Sequence, residues 1–212
     1  MIYLMKVLKN IKRFSLIIFL FLLFINIIGC KKDNNNVINN TNPDFPEEMF
    51  GKIKDKKVYL TSIGQANDLL IFDDLYKNSF DYEIDMLLTP DNIDEGSIVF
   101  IFVGCSIKAL EESSLSLSEE RNRANELING SKNGKYEIIA FHLGGNSRRG
   151  STSDSFIQMV FSSSIFNIFQ ATGNEDGFLA NTSVDNNIPY YVVPRIGALE
   201  TPLKLLLGVK GE

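Results

Sequence analysis

From residue 57 onward, two patterns of apolar residues take turns along the chain. Short runs rich in Val, Ile, Phe and Tyr, as strands are, occur at Lys57–Ile63, Phe80–Met86, Ser97–Val103, Tyr136–Leu143, Ile165–Phe169 and Tyr190–Val193. Between them lie segments whose apolar residues recur at helical spacing. These are Leu69, Leu70, Phe72 and Leu75; Leu117, Ala124, Leu127 and Ile128; Phe156, Ile157, Val160 and Phe161; then Phe178–Val184 and Ala198–Leu207. Ser97–Val103 (SIVFIFV) is almost continuously apolar, as a strand covered on both faces must be. Phe80–Met86 alternates with Asp81, Glu83 and Asp85, which reads as an edge strand.

The punctuation agrees with these periods. Thr89-Pro90 is an N-cap with proline at the first helical position, with room for one short turn. Ser116 and Glu119 form a capping box. Gly130 reads as the residue that ends the following helix. Thr152 or Ser153 reads as the N-cap of the helix after the fourth strand. Strand–helix alternation predicts an α/β domain, three-layered and Rossmann-like or flavodoxin-like. Its sheet is mostly parallel, of five to six strands, with helices on both faces. Right-handed crossovers favour the strand order 2-1-3-4-5-6, which reverses between strands one and three. Loops leaving the C-terminal ends of strands one, three and four then meet in one crevice.

The polar residues concentrate at those exits. Gln65, Asn67 and Asp68 follow the first strand; Cys105, Ser106 and Lys108 the third; Asn174 and Asp176 the fifth. The fourth exit is the richest, running through His142, Gly144, Gly145, Asn146, Arg148, Arg149, Ser153 and Asp154. Glycines that let backbone N–H groups approach, a helix starting immediately afterwards, and two arginines suit a small anion, carboxylate or phosphate. The expected ligand set is Gln65, Asn67, Ser106, His142, Gly144, Gly145, Asn146, Arg148, Arg149, Ser153 and Asp154. One of the two arginines is expected to face solvent and the other to pair with Asp154 or another acid. His142, the only histidine, is the candidate acid/base for a hydrolase or transferase, with Asp68 or Asp154 to orient it. It reads equally as a satisfied core histidine. Cys105 reads as a half-buried thiol more readily than as a nucleophile.

Other chemistries lack their motifs. The first strand's turn, Ser62-Ile63-Gly64-Gln65-Ala66, does not carry GxGxxG, and there is no P-loop or GxSxG elbow. The two cysteines, Cys30 and Cys105, and one histidine do not make a zinc site. No cofactor is expected.

Residues 1–29 are of another kind. Basic residues up to Arg13 precede an apolar run, 14–29, that is short for a membrane span of roughly 20 residues and suits the h-region of a signal peptide. Ile27-Ile28-Gly29-Cys30 resembles the bacterial lipoprotein box. That resemblance implies cleavage before Cys30, acylation of Cys30, and a domain held to a membrane outside the cytoplasm, in the cell envelope. The alternative is an uncleaved N-terminal anchor. Residues 31–48, rich in Asn with Pro43 and Pro46, read as a tether, so the chain divides into 1–29, 30–50 and a single domain over 51–212. Four of the 21 basic residues and none of the 26 acidic ones precede Cys30, so a product beginning there carries a net charge of −9. Such acidity excludes broad nucleic-acid binding.

Thr61-Ser62-Ile63-Gly64-Gln65, His142-Leu143-Gly144-Gly145, Arg148-Arg149-Gly150 and Ser153-Asp154 together resemble a family of bacterial exported α/β domains of unknown function, over about residues 57–207. The resemblance implies fold and export but no reaction.

Overall fold

A computed structural model describes residues 44–210. Cys30, the segment before it and most of the Asn-rich tether lie outside the described residues. The elements are β1 (Val58–Ile63), α1 (Asp68–Tyr76), β2 (Glu83–Ile84), β3 (Ile98–Val103), α2 (Ile107–Glu112), α3 (Leu117–Lys132), β4 (Glu137–His142), α4 (Ser151–Phe161), β5 (Phe166–Gln170), α5 (Phe178–Asp185), β6 (Tyr190–Val193) and α6 (Glu200–Leu206). No helix among the described residues is long and apolar enough to cross a membrane.

The six strands form one sheet in the order β2-β1-β3-β4-β5-β6, the order expected from the crossover rule, and every pair is parallel. β3 and β4 are central, and the side chains of Ile98–Val103 are fully buried. Alternation along each strand divides the core. Val99, Ile101, Val103, Ile138 and Ala140 face α3, α4 and α5, while Phe100, Phe102, Ile139 and Phe141 face α1 and α6. The second layer is aromatic. Phe102 stacks on Phe141 with ring centroids 4.9 Å apart, and Phe72 of α1 meets Phe102 at the same distance.

Three local expectations change. β2 is only two residues, paired to Tyr59 and Leu60 and exposed on both, because the charged alternation leaves it nothing to bury. Gly130 lies inside α3 rather than after it. A Cβ there would stand 2.3 Å from the Tyr136 hydroxyl, which donates to Leu127 O at 2.8 Å, so the glycine is required for packing; Asn133 is the C-cap. Neither Thr152 nor Ser153 caps α4. The N-cap is Gly150, and Ser153 is used elsewhere. The capping box of α3 forms as expected, Ser116 Oγ accepting from Glu119 N and Glu119 from Ser116 N.

Candidate functional site

The exits of β1, β3, β4 and β5 meet at the C-terminal edge of the sheet, and the closest approach is backbone against backbone. Gly64 (φ +79°) turns the chain out of β1. A Cβ at this position would lie 2.1 Å from Gly104 O, so no side chain fits. Ser106 N donates to Gly64 O at 2.9 Å, and Ser153 Oγ accepts from Cys105 N at 2.9 Å, tying the β3 exit to both neighbours.

A buried ion pair braces the β1 exit. Glu120 and Arg123 are three apart on α3, one turn in from the capping box, and both are buried. Glu120 Oε1 accepts from Gly64 N at 2.6 Å and its carboxylate takes Arg123 Nε and Nη2 at 2.9 and 2.8 Å. Arg123 also donates to Leu88 O at 3.0 Å and to Ser62 O. Neither residue was in the expected site. Their signal was an acid and a base at helical spacing beside Ala124 and Leu127, on the face that turns inward.

Among the expected residues, Gln65 (φ +56°) is buried but points away, toward Met86 O (3.4 Å) and Ser113 Oγ (3.5 Å). Ser106 caps α2 by accepting from Ala109 N at 3.3 Å. Asn67 and Asn146 are exposed, and the Asn67 side chain makes no cap bond. Asp68, at the start of α1, is only 4% exposed and its Oδ2 accepts from Leu143 N at 3.2 Å. Burial pushes its carboxyl up, against the pull of His142, the Leu143 amide, Arg148 and the Gly144 amide.

His142 is fully buried. Nδ1 faces Val103 O at 2.9 Å and Nε2 faces Gly145 O at 3.3 Å, so both ring nitrogens meet acceptors. A neutral ring carries one N–H and satisfies only one of them. Gly173 closes on the ring, where a Cβ would come within 3.0 Å of it. Gly145 (φ +60°) lies where a Cβ would meet Thr172 Oγ1 at 2.5 Å, so the glycine turn is set by contact with the β5 exit.

The two arginines divide as expected. Arg149 has a side chain 9% exposed and donates to Asp154 (2.6 and 3.2 Å), to Asp176 (3.1 and 2.9 Å) and to Gly173 O, with its guanidinium over the Phe178 ring. Burial works against its charge, and the Asp154 and Asp176 carboxylates more than offset this and hold it above its usual value. Arg148 is exposed, and its stem lies across Gly144, where a Cβ would be 2.2 Å from Arg148 Cγ. Among the described residues its guanidinium makes no hydrogen bond or ion pair, though its charge reaches Asp68. Asn174 is buried with Oδ1 accepting from Ala180 N at 3.0 Å. Burial, then Glu120, pushes the Cys105 thiol up, which disfavours the thiolate a nucleophile needs.

The edge is therefore packed with its own side chains, and of the expected ligand set only Asn67, Asn146 and Arg148 stand exposed. Two sizeable cavities open elsewhere. One of about 330 Å³ lies between α1 and α6, and one of about 490 Å³ lies beside Pro90 and the end of α3. Among the described residues no group of three or more His, Cys, Asp or Glu could hold a metal ion. No curated protein and no solved structure matches the chain. Residues 55–207, more than half of the chain and nearly all of the described domain, match the family described as a domain of unknown function, DUF6305, and the chain belongs to that family.

Proposed function

We propose that this chain is a cell-envelope lipoprotein, anchored by acyl chains on Cys30, whose α/β domain holds a small anion at the C-terminal edge of its sheet through Arg148. The observation that carries the reading is the unequal use of two adjacent arginines. Arg149 is spent on two carboxylates, whereas Arg148 is exposed with no acceptor of its own among the described residues. Beside it α4 opens at Gly150 without a side-chain cap, which leaves N–H groups of its first turn for an anion. Asp154 takes part of that space, accepting from Gly150 N at 3.3 Å, so the ligand is small.

Thermal denaturation in a panel of phosphate, sulfate and carboxylates tests this. At 100 times its dissociation constant a ligand adds about 2.7 kcal/mol, roughly 5–10 °C for a domain of this size. Arg148→Ala is expected to abolish that gain. Arg149→Ala is expected to lower the melting temperature yet keep the anion response. A wild-type protein that no anion stabilises sinks the reading. For the anchor, Cys30→Ser is expected to eliminate incorporation of labelled fatty acid and the processed band. An uncleaved anchor would be indifferent to the change.

The alternative of a hydrolase or transferase with His142 as acid/base draws no support from a ring that is sealed and faces carbonyls with both nitrogens. An envelope protein-interaction module is the second reading. Leu70, Ile71 and Leu75 stand about half exposed along α1, beside the α1–α6 cavity. Crosslinking and co-purification from membranes separates it from anion binding.

A further inference from the structure

The Asp68 carboxylate is surrounded as a bound ligand would be. It comes from α1, yet its partners belong to the β4 exit. Leu143 N donates to Oδ2 at 3.2 Å, the Gly144 amide faces the same carboxylate, and a Cβ on Gly144 would lie 3.2 Å from Oδ2. The stem of Arg148 crosses Gly144, and the charge of Arg148 reaches the carboxylate. Two adjacent amides at a glycine turn are a common way for proteins to hold a free carboxylate, and an arginine whose stem crosses the turn adds positive charge nearby. Here the carboxylate is the chain's own.

We infer that the Leu143–Gly144 amide pair with Arg148 is a carboxylate-binding site whose resident occupant is Asp68, so that a free monocarboxylate binds by replacing that side chain. The inference rests on the proposed anion site and deepens it, naming the ligand class and giving the site a tethered competitor. The side chain sits on the first residue of α1, and Asn67 before it adds no side-chain cap. Desolvation also outweighs the favourable partners, so the ionised side chain occupies the turn at a cost.

The test uses sodium formate and sodium acetate against sodium chloride at equal ionic strength, read by thermal denaturation and calorimetric titration. Asp68→Ala is expected to be less stable than wild type in chloride. It should regain stability saturably in formate, and bind formate at least about 10-fold more tightly than wild type, a difference of about 1.4 kcal/mol. Adding Arg148→Ala should remove the rescue. If folded Asp68→Ala treats formate and chloride alike while wild type still binds an anion through Arg148, the tethered-occupant idea is wrong and the anion site stands. If neither protein responds to any anion, both fall. Should Asp68→Ala fail to fold, Asp68→Asn keeps the shape without the charge. Its Leu143 and Gly144 amide resonances are expected to move saturably with formate, and unmoved resonances overturn the inference.

Discussion

Glu120→Ala is expected to lower the stability of the domain by about 3–5 kcal/mol, the usual cost of removing one partner from a buried ion pair. The reason is geometric. One carboxylate serves Gly64 N, Arg123 Nε and Arg123 Nη2, all between 2.6 and 2.9 Å, and Glu120 is fully buried. Without it Arg123 keeps its carbonyl partners but remains a buried charge with no counter-ion. Urea denaturation with an unchanged m-value would measure the loss, which corresponds to roughly 10 °C or more in melting temperature. Replacing both partners, Glu120→Gln with Arg123→Met, is expected to cost less than the two single changes summed. A loss below about 1 kcal/mol for Glu120→Ala would mean that the pair does not hold the β1 exit.

Gly64→Ala is expected to do comparable damage by a different route. The new Cβ would sit 2.1 Å from Gly104 O, 2.8 Å from Gly104 C and 2.9 Å from Cys105 Cα, all backbone atoms of the adjacent β3 exit. None can swing aside as a long side chain would, so the two exits must separate, and the expected cost exceeds about 3 kcal/mol. Gly96→Ala is the control. Gly96 has nearly the same φ, +78° against +79°, but nothing lies within 4 Å of its Cβ position. Only the left-handed conformation is penalised there, by roughly 1–2 kcal/mol. Equal melting temperatures for the two variants would refute the argument that crowding, not φ, fixes Gly64.

These two positions also mark what a sequence conveys. Strand order was legible because it depends on periods and on crossover handedness, properties that survive averaging over a whole element. Ser97–Val103 could hardly be anything but a central strand. Two of the local expectations that failed were read from residue type alone. Gly130 resembled a helix stop because glycine commonly is one, yet its role is set by Tyr136, six residues later and across a turn. Ser153 resembled a cap, but the Cys105 amide, 48 positions away, claims its hydroxyl. At the edge the clustering of exits was foreseeable. Its internal allocation was not, since only coordinates show that Gln65 turns away and that Arg149 is neutralised twice. Asp68 reads from the sequence as an orienting carboxylate for His142. That it reaches across to the β4 turn depends on α1 being seated where the sheet reverses direction.

The brace at Glu120 also bears on the order in which the chain acquires structure. Gly64 and Glu120 are 56 positions apart, and Arg123 reaches back 61 to Ser62. In an all-parallel sheet no hairpin can form early, because every adjacent pair needs a crossover to close it. β1 can therefore pair with β3, and Ser106 N can reach Gly64 O, before α3 exists, but the Gly64 amide finds its acceptor only once α3 has docked. A nascent chain ending before residue 120 would carry β1 without that acceptor. The Gly64 amide should then gain hydrogen-exchange protection together with α3 in a pulse-labelling experiment, not with the strand that contains its neighbours.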